Sequence, residues 1–290
     1  MSQSDHLARK ALRAALSLRI KLRKQVDEPI CVFDFAEELG VPVRFMAGGS
    51  FEGMYCRQSN TIMVPSQRPP GRQAFACAHE LGHWFFGHGT QVDIIQGEEN
   101  GCKSKSPDER LADSFAAFLL MPSKAVAKAF SLRGWASSFC TPAQAYIVAN
   151  HLGVGYETVL YHVRYSLDLI SGDHFEYLKK VPLKEIRRTV LGVTISDPTH
   201  LVIADKAWSK HSPIDLQVGD AAIIPSRSKV DGKSVEFMKE IPSGTIVVAK
   251  EPGISTVMTD DDSWAAFVRV SRKEFVGMSI YRHLEEADDD

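Results

Sequence analysis

Apolar positions recur at helical spacing in some stretches of the chain and gather in short runs in others, and the changes of period mark out its elements. Leu7, Ala11, Ala14, Leu18 and Leu22 share one side of residues 7–26, among Arg9, Lys10, Arg13, Arg19, Lys21, Arg23 and Lys24. This predicts an amphipathic helix that packs on a core and keeps a solvated basic face. Residues 30–39 predict a second helix, ended by Gly40. Residues 41–46, 53–57 and 61–64 read as short strands parted by turn residues, a small antiparallel sheet. The next stretch is apolar on nearly every side (Phe75, Ala76, Ala78, Leu81, Gly82, Trp84, Phe85, Phe86), as a buried helix is. Pro107 and Asp108 suit the start of a further helix and Pro122 its end.

Beyond residue 135 the pattern changes twice. In residues 141–167, Ala149, Gly153 and Val159 have helix-turn-helix spacing, a small residue at the crossing and a glycine in the turn. Yet Glu157 stands near the start of the second helix and no Arg or Lys comes before Arg164, so the pair reads as a scaffold or docking element rather than a reader of bases. From about residue 180, short β-branched segments (189–195, 201–204, 221–224, 235–238, 245–249, 265–270) alternate with Pro, Gly, Asp and Ser. They predict a separate β-rich domain, with an acidic, disordered tail over residues 285–290. No metal-ligand cluster or phosphate loop is recognisable in it.

The polar residues of the buried helix carry the chemistry. His79 and His83 lie four apart, so both imidazoles stand on one helix face and reach one metal ion. Glu80 follows the first histidine directly, an offset that lets its carboxylate address a metal-bound water. This is the HExxH arrangement, with the glutamate as general base. Two histidines and a glutamate inside an apolar helix need a partner, because unpaired buried polar groups are costly. A catalytic zinc takes a third protein ligand and keeps one position open. His88 is a poor candidate, since the extended zincin pattern wants glycine at 86 and histidine at 89 where the chain has Phe86 and Gly89. Glu109 and Asp113 share a face of the following helix, which makes Glu109 the better candidate for third ligand and Asp113 for the carboxylate that accepts a hydrogen bond from a ligand imidazole; an ordinary exposed acidic face is the competing reading.

Composition sets bounds on the rest. With 290 residues, 44% of them hydrophobic, the chain can bury a substantial core and divides into two domains by length. A formal net charge of -2 gives no general pull towards nucleic acid. No apolar run approaches the ~18 residues of a membrane span, and the polar start is not a signal peptide. Five cysteines without CxxC pairing fit reduced thiols in a cytoplasmic protein. Cys102 lies between the two ligand-bearing helices, where a thiolate could fill the open zinc position and hold the site inactive; an inert cysteine is the competing reading. An extended substrate would add as a strand beside residues 52–57, with Tyr55 a candidate for transition-state stabilisation or simply a packing aromatic.

The run from Arg68 to His83, with the HELGH core, followed by the run from Glu109 to Pro122, resembles the ImmA/IrrE family of bacterial and phage metallopeptidases over about residues 30–170. The resemblance implies zinc on His79, His83 and Glu109, one ion per chain, with Glu80 catalytic. It also implies a regulatory protease that cleaves a helix-turn-helix repressor and so switches on a stress, DNA-damage, phage or mobile-element programme. The expected fold class is α+β: a zincin-like metallopeptidase domain with a small antiparallel sheet and the HExxH helix (1–135), a helix-turn-helix-like helical segment (136–179), and a β-rich C-terminal regulatory domain (180–290) open to a signal ligand or nucleic acid. The alternative is a DNA-binding transcription regulator with a structural zinc site, against which the retention of Glu80 argues.

Overall fold

The computed structural model describes residues 3–48, 51–89, 91–94, 106–191, 200–209 and 212–285. It is a mixed α+β chain in two compact units, Met1–Val126 with Val276–Ile280 and Ala127–Phe275 with Tyr281–Asp290. Among the described residues no helix is long and apolar enough to cross a membrane.

The first unit begins with α1 (Gln3–Lys21) and α2 (Val32–Glu38), followed by strands β1 (Val43–Met46), β2 (Phe51–Cys56) and β3 (Thr61–Pro65). Then come α3 (Pro70–Phe86), β4 (Gln91–Ile94) and α4 (Pro107–Leu120). The small buried residues Ala11, Ala14 and Ala15 let α1 lie close on α4. Arg19 departs from the predicted solvated face: it is fully buried. Its guanidinium donates to Leu119 O at the end of α4 (2.9 and 2.7 Å) and to the carbonyls of Gln25 (2.7 Å) and Glu28 (2.9 Å). Burial draws its pKa down to about 10, so it stays charged at neutral pH and favours the carbonyl end of α4. The sheet is mixed rather than antiparallel. β2 and β3 form the expected antiparallel hairpin, whereas β1 pairs with β3 in parallel because β2 does not lie between them.

The second unit holds α5 (Ser123–Ser131) in part, then α6 (Pro142–His151), α7 (Tyr156–Tyr161), α8 (Gly172–Lys179) and α9 (Leu183–Leu191). Its strands are β5 (Leu201–Ile203), β6 (Ile214–Gln217), β7 (Ala221–Ile224), β8 (Ser228–Asp231), β9 (Val235–Ile241), β10 (Gly244–Ala249), β11 (Gly253–Thr259) and β12 (Ala265–Ser271). They form two four-stranded sheets, β5-β7-β10-β9 and β6-β12-β11-β8, whose buried faces share a core that includes Trp208, Leu216, Val247, Trp264 and Val268. The strand expected over 189–195 is helical through Leu191, with Ile186 and Leu191 of α9 buried; residues 192–195 lie outside the described residues. The helix-turn-helix-like pair is α6 and α7, joined through Gly153 in the left-handed region (φ 67°). It is tied to the first strand of its own unit by the Tyr146 hydroxyl on Leu201 O (2.6 Å) and by Ile203 N–H on Asn150 Oδ1 (2.9 Å).

A last short strand, β13 (Gly277–Met278), belongs to the first unit, where it pairs antiparallel with β1. Ser279 beside it donates to Glu37 Oε1 (2.7 Å), which also accepts from Val43 N–H (3.1 Å).

Candidate metal centre

Two capped helices meet at this site. Pro70 opens α3 without wasting a donor, and Gly87 closes it in the left-handed conformation (φ 71°). Ser106 caps α4, its hydroxyl accepting from Glu109 N–H (3.2 Å), which fixes Glu109 in the first turn. Gly82 lets the helices approach: a Cβ there would stand 3.1 Å from Phe115 Cδ1 and 3.2 Å from Ala112 Cα. On the face thus buried, His79, Glu80 and His83 are 5%, 1% and 1% exposed.

Three ligating side chains converge. His79 Nε2 and His83 Nε2 are 3.0 Å apart, and the Glu109 carboxylate stands 3.2 Å from the first and 3.4 Å from the second. A tetrahedral zinc bound at about 2.0–2.1 Å keeps its ligand atoms roughly 3.3 Å apart, so the spacing is that of a metal shell. The remaining imidazole nitrogens point to hydrogen-bond partners. Asp113 Oδ1 lies 3.0 Å from His79 Nδ1, and an ionised carboxylate only accepts, so the proton sits on Nδ1 and Nε2 offers a lone pair. His83 Nδ1 is 2.9 Å from His88 Nδ1, and His88 Nε2 is 3.4 Å from Asp108 Oδ1. With His88 donating to Asp108, its Nδ1 accepts from His83, which likewise turns a lone pair inward. Two lone pairs and a carboxylate facing one space repel one another unless a cation lies between them. The residues present therefore fit a metal. Among the described residues, His79, His83 and Glu109 are the group of three whose ligand atoms gather this way, within 4.8 Å of one another.

Glu80 lies against β2. A Cβ at Gly53 would stand 2.9 Å from Glu80 Oε1 and 3.0 Å from its Cγ, so glycine at that strand position makes room for the carboxylate. Tyr55, two residues on, is buried, and its hydroxyl donates to Asn60 Oδ1 (3.0 Å) at the end of the hairpin. Cys102 lies outside the described residues. The edge expected along residues 52–57 is covered, since β2 has β3 on one side and β4 on the other. His88, whose spacing makes it a poor ligand, stands behind His83, a place that spacing alone does not show. The available signal was its position just past Gly87, where a left-handed cap turns the chain back on the last helical turn.

Residues 36–164 match the family described as IrrE N-terminal-like domain, Peptidase_M78. The protein named "Radiation response metalloprotease IrrE" from Deinococcus deserti is 32% identical over 88 residues, 30% of this chain and 31% of that one. The protein of the same name from Deinococcus radiodurans is 32% identical over 90 residues, 31% of this chain and 27% of that one. The chain thus spans under a third of the length of these curated relatives. A solved structure titled "Mycobacterium tuberculosis transcriptional regulator" aligns at a TM-score of 0.34 and 18% identity over 55% of this chain and 46% of that one, too slight a likeness to carry argument. Residues 36–164, which run from within α2 past α7 and include both site helices, are thus similar to the IrrE N-terminal-like family.

Proposed function

We propose that the chain is a zinc-dependent endopeptidase of the cytoplasm that cleaves a helix-turn-helix transcriptional repressor and so releases a stress, DNA-damage, phage-defence or mobile-element programme. The observation that carries this reading is the convergence of His79 Nε2, His83 Nε2 and the Glu109 carboxylate, with the other ring nitrogens facing Asp113 and His88. One zinc per chain is held by those three residues, and Asp113 orients His79. Bound there, zinc supplies Lewis acidity towards a water molecule and the scissile carbonyl. Glu80 takes a proton from the attacking water on its carboxylate and hands it to the departing amine. Its depth in the core keeps bulk water from competing for that proton.

The names of the two Deinococcus relatives support a protease in a stress response, and the repressor substrate follows from the resemblance of the two motifs to the family. In this reading residues 1–135 do the chemistry, residues 136–179 serve for docking, and residues 180–290 bind a signal ligand or nucleic acid and bias a cleavage-competent state. The direct test is to incubate the zinc-loaded protein with the repressor encoded beside it, with and without a chelator, and to identify products by mass spectrometry. A defined cut that the chelator abolishes is expected. An intact repressor after prolonged incubation with zinc-loaded protein under inducing conditions would refute the assignment.

A further inference from the structure

We propose that the chain's own residues Gln91–Ile94 fill the strand position that an extended substrate needs, so that β4 must leave β2 before a peptide can be cut; this rests on the peptidase reading above. The reasoning starts at Gly53, the point on β2 that touches the Glu80 carboxylate. A strand added to a sheet lies about 4.8 Å from its neighbour. A general base works within about 3 Å of the proton it takes, or through one water. Only the strand immediately beside β2 therefore brings a peptide bond into range of Glu80. A strand added outside β4 would stand about 10 Å from Gly53, two spacings away.

β4 holds that inner place. It pairs antiparallel with β2, setting Asp93 opposite Gly53, Val92 opposite Met54 and Gln91 opposite Tyr55. At the other side of the sheet, β1 is separated from β2 by β3 and carries β13, so that edge lies farther still from Glu80. The β4 pairing is also the kind that opens easily. The strand is four residues long and ends the sheet, and its register shifts between Phe51 and Gly53, leaving Glu52 as the extra residue of a bulge. A peptide adding to β2 would replace the β4 ladder with an equivalent one, so the exchange needs little net energy beyond release of a short strand. Displacement of β4 thereby becomes a point of control for an otherwise open metal site.

The test uses the full-length zinc-loaded protein and a fluorescent peptide hydroxamate, a metal-chelating mimic of an extended peptide, with binding read by anisotropy and zinc by elemental analysis. Successive N–H groups along a strand point to opposite sides, so one of Val92→Pro and Asp93→Pro must remove a ladder bond to β2. If β4 is docked nine-tenths of the time, the variant that frees it binds the probe about tenfold more tightly than the unaltered protein. In the unaltered protein, probe binding should speed hydrogen exchange at residues 91–94 while Met54 and Tyr55 stay protected, a readout that does not depend on the proline variants folding. Equal or weaker binding by both folded variants at full zinc content, or β4 amides that stay protected with the probe bound, would overturn the proposal. A protein that takes up no zinc would overturn the peptidase reading and this proposal with it, and the zinc measurement tells that outcome from failure of the strand exchange alone.

Discussion

The two units treat buried polar groups in opposite ways. In the second, part-buried charges are answered by carboxylates: Arg133 forks onto Asp205 at 2.6 and 2.7 Å, and Arg269 onto Asp215 at 2.6 and 2.7 Å, with Arg282 (3.9 Å) and His283 (3.7 Å) beside the same carboxylate. Such pairs close on themselves and fix the fold without calling for anything outside the chain. In the first, Arg19 is answered in the same manner, but where α3 meets α4 two imidazole nitrogens and a carboxylate face one another. Complete pairing identifies architecture, and convergent acceptors identify a place that waits for a cation. The contrast locates function more sharply than burial does, since the fully paired Arg19 is as deeply buried as His83.

The largest effect tests whether the convergent site does chemistry. Glu80→Gln keeps shape and leaves the three ligand atoms alone, so zinc should remain at one ion per chain while cleavage of the repressor falls by ~10²- to 10⁴-fold or more. His79→Ala and Glu109→Ala should instead lose the metal. If Glu109→Ala retains both zinc and activity, the third ligand lies elsewhere. Next in size is the paired counterpart in the same unit. Arg19→Met leaves the carbonyls of Leu119, Gln25 and Glu28 without the guanidinium, and with each unsatisfied buried group worth about 1–3 kcal/mol the unit should lose about 3 kcal/mol or more. Chemical denaturation checks it, and an unchanged midpoint would show that water replaces the side chain.

How much of this the sequence disclosed follows the same contrast. The spacing of His79, Glu80, His83, Glu109 and Asp113 could be read because helical periodicity converts sequence offset into a shared face. The start and end of α4 could be read because Pro107 and Pro122 act locally. What stayed hidden depends on residues far apart in the chain. Arg19 looks like its exposed basic neighbours until α4 brings Leu119 O to it. β13 is two residues long and finds β1 only through the fold, and the parallel pairing of β1 with β3 rests on a crossover that strand patterns do not encode. Over residues 189–191 the expected strand is a helix: Thr189 and Val190 favour strands locally, whereas α9 runs on to bury Ile186 and Leu191.

A smaller effect sharpens the contrast at the ligands themselves. Asp113→Asn offers His79 Nδ1–H an amide oxygen in place of a carboxylate, which weakens the imidazole as a donor to metal and costs about 10- to 100-fold in affinity, with the fold intact. Competition with a zinc-sensitive dye measures it. His88→Ala should act in the same direction through His83. An Asp113→Asn protein with unaltered zinc affinity would mean that the hydrogen bond orients nothing.

The smallest expected effect lies in the second unit, at a carboxyl that the pairing pattern does not fully answer. Asp220 is 4% exposed in the turn between β6 and β7, and its Oδ2 accepts from Gln217 N–H at 2.9 Å. Burial raises its pKa from 3.8 to about 6, against the opposing pull of those backbone hydrogen bonds. The folded state therefore holds a proton that the unfolded state gives up more readily. Its contribution to stability is present in full below about pH 4 and is lost as pH rises through about 6, amounting to at most about 3 kcal/mol. Asp220→Asn can still accept from Gln217 but does not titrate, and its buried amide hydrogens cost about 1–2 kcal/mol at every pH. The variant should be the less stable at pH 4 and the more stable by about 1 kcal/mol at pH 7, with the crossover between. Other carboxyls titrate in both proteins, so the quantity to follow is the difference in denaturant midpoint between variant and parent across pH 4–8. A difference that does not change with pH would show that the Asp220 carboxyl is solvated after all. Zinc binding should be the same in both proteins at each pH, since Asp220 and the metal centre belong to separate units.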